Sequence, residues 1–310
     1  MTKKSYAPII LFTYRRLATL KKVIISLNRN KLSKKTEIYI FSDGYKNLQD
    51  KQDVLNVRKY LKTINKFKKV KLIFRKKNIG LSKNIIQGTT KILLLKKKGI
   101  ILEDDIIVST NFLIFMNLCL DKFKDAKKVW HINSWNYNIK KIKSKEDVFY
   151  WRGMHCWGWA TWLDKWKYYE KNPKKLLNTF TDKDIKRFNY EGNYNFWRQV
   201  INNYKSKLNS WAVFWYATIH KNKGLCVSPR ESLTFNIGHD NYASNTFINY
   251  GTNDIYCFKK FHKKNSFKFQ TELNENVKIY NQIKRHIKIK KIKNLFLKFT
   301  DLGRVFNFNR

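Results

Sequence analysis

Between residues 9 and 108 the chain repeats one pattern, a short apolar run followed by a longer stretch with apolar residues at helical spacing. Pro8-Ile9-Ile10-Leu11-Phe12 is the first run, and Leu17, Leu20, Val23, Ile24 and Leu27 then recur on one helix face. Ile38-Tyr39-Ile40-Phe41 is the second, with Val54, Val57, Leu61 and Ile64 behind it. Val70, Leu72 and Phe74 alternate as a third strand, and Ile85, Ile86, Thr89, Ile92 and Leu93 mark a third helix. Gly99-Ile100-Ile101-Leu102 is the fourth strand. The alternation of period 2 with period 3.6 predicts an α/β fold, a doubly wound, mostly parallel sheet flanked by helices. The carboxyl ends of such strands share one edge, where ligands collect. Arg15, Asp43 and the acids after Leu102 belong to that edge.

Those acids are Glu103-Asp104-Asp105, set between apolar residues in a chain with 65 Lys+Arg and 22 Asp+Glu. Adjacent carboxylates repel, and each loses solvation on burial. A divalent cation relieves both costs, and oxygen ligands suit magnesium or manganese. A solvated turn after the strand is the alternative. Asp43 follows the second strand, where a carboxylate accepts hydrogen bonds from a base or ribose. The first strand is followed by neither Gly-x-Gly-x-x-Gly nor a Gly-Lys phosphate loop, so dinucleotide and P-loop folds lack their fingerprints.

The net charge of +43 gives a surface that attracts polyanions, whether nucleic acid, anionic membrane or phosphorylated substrate. With 22 Phe, 17 Tyr and 10 Trp the chain has ample material for a packed core. Cys119, Cys156, Cys226 and Cys257 form no Cys-x-x-Cys pair, which points to free thiols in a reducing compartment. Neither a signal peptide nor a run of ~18 apolar residues is present, so a cytoplasmic protein is expected, peripheral to the inner membrane at most.

In the second half Trp159, Trp162, Trp166 and Tyr169 fit one face of a helix, read as a core face. Trp157-Gly158 precedes it and could stack on a sugar, while His155 reads as a hydrogen-bonded structural residue. Trp211, Phe214, Trp215, Thr218 and Ile219 fit a further amphipathic helix. Asn236-Ile237-Gly238-His239-Asp240 reads as a polar loop after a strand near residues 225–227. Ile279, Ile283, Ile287, Ile292, Leu295, Phe296 and Phe299 keep helical spacing, with seven Lys or Arg and no acid from 284 to 298. A basic amphipathic helix over 279–299 suits an anionic membrane surface, or a solvated helix packed on the domain.

Taken in order, six of these stretches resemble bacterial glycosyltransferases of the GT-A fold, relatives of the animal transferase that adds the first antennary N-acetylglucosamine to N-glycans. They are Phe12-Thr13-Tyr14-Arg15, Ser42-Asp43-Gly44, Asn78-Ile79-Gly80-Leu81-Ser82, Leu102-Glu103-Asp104-Asp105, Cys156-Trp157-Gly158-Trp159-Ala160-Thr161-Trp162 and Asn236-Ile237-Gly238-His239-Asp240. The resemblance covers roughly residues 7–246. It implies a nucleotide-binding half over 1–128, an acceptor-binding half over 129–250 and a basic C-terminal tail over 251–310.

It further implies an inverting, metal-dependent transferase that moves a sugar from a nucleotide-diphosphate sugar, a UDP-sugar, to a glycan or lipid-linked acceptor. Such work belongs to lipopolysaccharide or capsule synthesis. Thr13, Arg15, Asp43, Ser82, Glu103 and Asp104 would hold the donor. Asp105 would ligate Mn2+ or Mg2+, with His239 beside it. The chain departs from the pattern where Ala212 follows Trp211, since relatives often carry an acid there, and where Asn241-Tyr242-Ala243 replaces a Gly-Ser-Gly stretch.

An inverting transfer needs a carboxylate base. Glu191, expected at the start of a helix over 194–205 among Tyr190, Tyr194 and Phe196, is the first candidate, and Asp240 the second. Asp164 reads as structural. Two other classes are compatible with the charge: a nucleic-acid-binding protein, against which the acids and the missing recognition motifs argue, and a metal-dependent nucleotidyltransferase, which needs a Gly-rich basic loop that Thr13-Tyr14-Arg15-Arg16 lacks. No specific nucleic-acid partner is expected.

Overall fold

The computed structural model describes residues 5–137, 139, 145–238 and 266–306, and from 293 onward the backbone alone. The first half runs β1 (Ile9–Thr13), α1 (Leu17–Asn28), β2 (Glu37–Ser42), α2 (Leu48–Leu61), β3 (Lys69–Phe74), α3 (Leu81–Lys96), β4 (Lys98–Glu103), β5 (Ile106–Val108) and α4 (Phe112–Lys122). The second half adds β6 (Val129–Asn133), β7 (Val148–Trp151), β8 (Trp159–Trp162), α5 (Leu163–Trp166), α6 (Pro173–Thr179), α7 (Asp182–Phe188), α8 (Trp197–Tyr204), α9 (Ala212–Lys221), β9 (Leu225–Pro229), β10 (Thr234–Asn236) and α10 (Val277–Phe306).

Eight strands form one sheet in the order β3-β2-β1-β4-β8-β6-β9-β7, and β5 pairs with β10 in a second, two-stranded sheet. β1, β2, β3 and β4 are parallel, β8 runs against both β4 and β6, β9 is parallel to β6, and β7 runs antiparallel to β9. The α/β class, doubly wound and mostly parallel, is the one expected from the sequence. Side chains of each strand alternate between two cores. Ile10 and Phe12 enter one with Ile85 and Ile92 of α3, and Ile9 and Leu11 enter the other with Val23 of α1 and Val57 of α2. The strand order reverses between β1 and β4, so their carboxyl ends flank a crevice.

The sequence expectation fails at Trp159–Trp162, which is a strand rather than the start of an aromatic helix. Trp159 lies in one core, and Ala160 and Trp162 lie in the other, which is the period of a strand. Three aromatic or β-branched residues in four positions favour the pleated surface once β4 and β6 stand on either side. The expected amphipathic helix at α9 is instead buried on every side from Val213 to His220.

The sheet runs unbroken through both halves because β4 pairs with β8, Ile100 facing Ala160. The expected tail is partly core: Phe267, Phe269 and Leu273 pack under the sheet, and Ile279, Tyr280, Ile283 and Ile287 of α10 are buried. Cys119 and Cys226 are buried free thiols and Cys156 is a half-buried one, while Cys257 lies outside the described residues.

Three histidines are held neutral inside this packing. The Trp215 indole N–H donates to His131 Nδ1 over 3.1 Å, so the ring proton of His131 sits on Nε2, 2.9 Å from Asn133 Oδ1. Burial lowers His131 to about 3, burial and then His131 lower His155 to about 3, and burial and then Arg187 lower His220 to about 4. Between those values and about 6.5 the unfolded chain binds protons that the folded chain refuses, so stability present above about pH 6.5 is lost on acidification. The apparent Tm is expected to fall steadily from pH 7 to pH 5. Both ring nitrogens of His220 lack a hydrogen-bond partner among the described residues, and the ring packs on Phe180 and Phe188. His220→Phe should therefore raise Tm at pH 5 more than at pH 7. An equal shift at both values would contradict this, and differential scanning calorimetry measures it.

Candidate functional site

The crevice at the ends of β1 and β4 is built by Asp104. Its Oδ2 accepts from Thr13 Oγ1 at 2.9 Å and from the Tyr14 N–H at 3.1 Å, and its Oδ1 accepts from Arg16 Nη2 at 2.8 Å. Arg16 Nη2 also lies 2.7 Å from Asp105 Oδ2. One guanidinium thus bridges two adjacent carboxylates, both largely withdrawn from water. Loss of solvation and the charge of Asp104 raise the Asp105 carboxyl, against the pull of Arg16. Glu103 is raised too, by loss of solvation and then by Asp105 and Asp104. Negative charge is crowded here beyond what Arg16 offsets.

The small sheet closes the crevice from the second half. β10 pairs with β5, Asn236 opposite Ile106, and the Ile237 N–H donates to the Asp105 carbonyl at 2.9 Å. Gly238 then lies so close that a Cβ there would stand 2.2 Å from Asp105 Oδ2 and 2.8 Å from Arg16 Nη1. Two stretches far apart in sequence, 103–105 and 236–238, are brought together. His239 and Asp240 lie outside the described residues.

Asp43 ends β2 and organises the next loop. Its Oδ1 accepts from the N–H groups of Gly44 and Ile79, and its Oδ2 from that of Gly80, over 2.9–3.0 Å. Asn78 Nδ2 donates to the Gly44 carbonyl at 2.7 Å. Gly80, at φ +77°, precedes α3 and gives its first turn no side-chain cap. The N–H groups at that helix start suit an anion. Ser82 Oγ accepts from Lys171 Nζ at 2.9 Å, and Lys171 also bonds Asn209, so this corner is tied to the second half.

Arg15, expected beside the nucleotide, instead pairs with Asp50 of α2, whose other oxygen accepts from Tyr14 Oη at 2.6 Å. It is Arg16, one residue on, that reaches the acids. Both side chains leave the β1–α1 corner, and nothing in their order tells which turns inward. Asp50 and Lys171 also escaped the sequence reading; Asn47, which accepts from the Asp50 N–H as a helix cap, is the one local signal for Asp50.

Glu191 is not at a helix start. It sits in a turn at φ +51°, and the helix begins later, at Trp197. Its Oε1 accepts from Arg152 Nη1 at 2.9 Å, while Oε2 takes the Tyr280 hydroxyl and lies 3.4 Å from Lys284 Nζ. Arg152 also grips Glu275, at 2.8 and 2.5 Å. Arg152 follows β7, the edge strand four positions from β4, a lateral distance of about 19 Å at the usual strand spacing. The geometry makes Glu191 a fastening for α10 rather than a proton acceptor at the crevice. Glu191→Gln should lower stability by about 1–2 kcal/mol, the scale of a charged hydrogen bond with part of its partners kept. A melting curve unchanged within error would contradict the fastening.

The carboxylates fit a hard divalent cation in their chemistry, and Arg16 is a cation already standing between them. Among the described residues no three His, Cys, Asp or Glu side chains are grouped to hold a metal ion. His155 was expected to be a hydrogen-bonded structural residue: its backbone N–H donates to Asn133 Oδ1 at 2.7 Å and its ring meets Trp135 edge-on, but its buried ring Nε2 has no hydrogen-bond partner among the described residues. Trp157 likewise packs edge-on against Trp135, and its carbonyl takes the Thr234 hydroxyl at 2.7 Å.

No family model matches the chain, and no curated protein matches it. Among solved structures it is similar to TarS of S. aureus, at 11% identity over 74% of this chain and 36% of that one, with a TM-score of 0.43. A shorter S. aureus TarS structure in complex with UDP-GlcNAc is 14% identical over 74% of this chain and 57% of that one, TM-score 0.40. The mannosyltransferase PcManGT from Pyrobaculum calidifontis, in complex with GDP-Man and Mn2+, is 11% identical over 72% and 70%, TM-score 0.40. The chain thus spans about a third and somewhat over half of the first two. At these TM-scores the likeness is too loose to bear on the site.

Proposed function

We propose that the chain is a GT-A-type glycosyltransferase that moves a sugar from a nucleotide-diphosphate sugar, a UDP-sugar, to a glycan or lipid-linked acceptor in bacterial surface polysaccharide synthesis. The observation that carries this reading is the carboxylate pair Asp104–Asp105 at the point where the strand order reverses, closed over by Gly238. The crevice is the place where an open α/β sheet takes a nucleotide.

In this reading Thr13 and Asp104 fix the end of β1, and Asp43 fixes the loop that leads into α3. The start of α3 faces the diphosphate, and Asp105 is the direct ligand of Mn2+ or Mg2+, with His239 proposed beside it. A bound divalent cation would offset the charge that gathers on the diphosphate as the glycosidic bond breaks. The chain's own part is to hold the leaving group and to take the acceptor proton. Asp240 is proposed as the base, because it follows Gly238 by two residues and Glu191 is engaged elsewhere. An inverting outcome goes with that base.

A ligand that binds only the folded state raises its apparent stability. UDP with Mn2+ is expected to raise Tm by several degrees, and Asp105→Asn to abolish the manganese-dependent part. Asp240→Asn should keep that shift while turnover of the UDP-sugar falls by ~10²-fold or more. A full manganese-dependent shift in Asp105→Asn would remove Asp105 from the site. Pyrophosphate release in place of sugar transfer would make the chain a nucleotidyltransferase.

The second part of the proposal concerns α10. It docks through Ile279, Ile283 and Ile287, and further on Ile289 and Ile292 are 45% and 43% exposed. Its backbone continues as helix to Phe306 through a Lys-rich sequence. We assign this extension to an anionic membrane surface, where a lipid-linked acceptor resides. No helix of the described residues is long and apolar enough to cross a membrane. Truncation after Lys288 keeps the docked turns. It should preserve the melting temperature and abolish co-flotation with phosphatidylglycerol vesicles at physiological salt. Undiminished flotation would make the extension a plain solvated helix.

A further inference from the structure

We infer that the amino ends of the parallel strands, the edge opposite the crevice, form a docking face for an anionic lipid bilayer. The face stands apart from whatever the crevice binds. α3 returns to this edge and runs into β4 through Leu93-Leu94-Leu95-Lys96-Lys97-Lys98. Leu93 is buried, but Leu94 and Leu95 are 58% and 63% exposed, side by side in the last turn of the helix. Glutamine or lysine would extend a helix there as well as leucine does. The fold itself therefore gives no reason for two leucines in water. The same edge is rich in cations. Lys35, Lys68, Lys96 and Lys98 converge around Glu37 at the start of β1. Glu37 is taken by Lys96 at 2.7 Å and Asp121 by Lys98 at 2.6 Å. Lys35, Lys68, Lys97 and Lys122 make no ion pair among the described residues.

Asp121 carries the edge across to the end of α4. Beside it the Lys122 ammonium lies over the rings of Phe123 and Phe269, at 5.8 and 5.2 Å. A groove of about 430 Å³ opens there, lined by Phe123, Tyr150, Phe269 and Leu273. Exposed apolar surface and unpaired ammonium groups on one edge are what an anionic interface takes up together. Leucines enter the acyl boundary, and lysines reach back along their stems to the headgroups. Nucleic acid would use the lysines and leave the leucines in water. β4 runs from Lys98 to Glu103, about 20 Å at the usual rise per residue. Docking by this edge thus leaves the crevice facing water at the far end of the strand. Asn274, just before α10, reaches the same edge, 3.5 Å from Lys128 Nζ at the start of β6. The edge and the α10 extension are two contacts on one body. Linked contacts multiply their affinities, so attachment at physiological salt takes both.

The test is the affinity of the full chain for phosphatidylglycerol vesicles and for a short RNA, the first by sedimentation and the second by fluorescence anisotropy. Leu94→Gln with Leu95→Gln should keep the wild-type Tm and weaken vesicle binding by about ten-fold or more, the scale of two partly buried leucines. Its RNA binding should stay at the wild-type level. Leu48→Gln removes a leucine that is 79% exposed at the opposite end of the sheet, where α2 begins, and should leave vesicle binding unchanged. Lys35→Gln with Lys68→Gln should weaken vesicle binding at low salt and flatten its salt dependence. Wild-type vesicle affinity in the Leu94 and Leu95 double variant would overturn the docking face. An equal loss on RNA, or an equal loss in Leu48→Gln, would overturn it too, by making the surface a general polyanion or apolar contact. If wild type binds no vesicles, the face falls together with the α10 assignment, and the reading of the crevice is untouched.

Discussion

Asp104 ties the ends of two strands together. By accepting from Thr13, Tyr14 and Arg16 it makes the carboxyl ends of β1 and β4 one rigid corner, at the point where the sheet reverses its winding. The crevice follows from that corner. α1 and α2 pack on one face of the sheet and α3 on the other, so among the described residues no helix fills the gap between β1 and β4. The acids lie at that gap because the winding leaves them there, though Arg16 and Gly238 cover them. Their cost is partly offset within the protein by the Arg16 guanidinium, which bonds both Asp104 and Asp105.

The second half of the chain serves the same corner. β8 enters against β4, and at its start Gly158, at φ +81°, passes within contact of Ser134 and Thr234. Ser134 Oγ reaches the Gly158 carbonyl at 2.6 Å and the Thr234 hydroxyl at 2.9 Å, linking the end of β6, the start of β8 and β10 in one polar knot. That knot sets β10 against β5 and so delivers Gly238 to Asp105. On the far edge of the sheet Arg152, Glu191, Glu275 and Lys284 pin α10, with Tyr280 beneath the guanidinium at 4.4 Å. The two charged clusters hold different elements: one pins α10 to the sheet edge, the other joins the ends of β1 and β4.

Much of the first half was legible in the sequence, because each buried strand is a compact apolar run and each helix carries one apolar face. The positions of Asp43 and Glu103-Asp104-Asp105 at strand ends were legible for the same reason, since each follows a compact apolar run. Trp159–Trp162 was misread because aromatic residues at 159, 162 and 166 fit a helical face as well as two faces of a strand, and only the partners β4 and β6 decide. Glu191 was misread because its partners, Arg152, Tyr280 and Lys284, come from distant parts of the chain. Arg15 and Arg16 differ by one position at a corner, and which one turns toward Asp105 is set by Asp50 on α2, a contact that no local pattern carries.

The most direct measurement is an anomalous difference map from crystals grown with UDP and Mn2+. The expected result is a manganese peak in contact with the Asp105 carboxylate and the diphosphate beside it at the carboxyl ends of β1 and β4. Nucleotide bound away from that edge of the sheet, or a manganese site that excludes Asp105, would contradict the central claim.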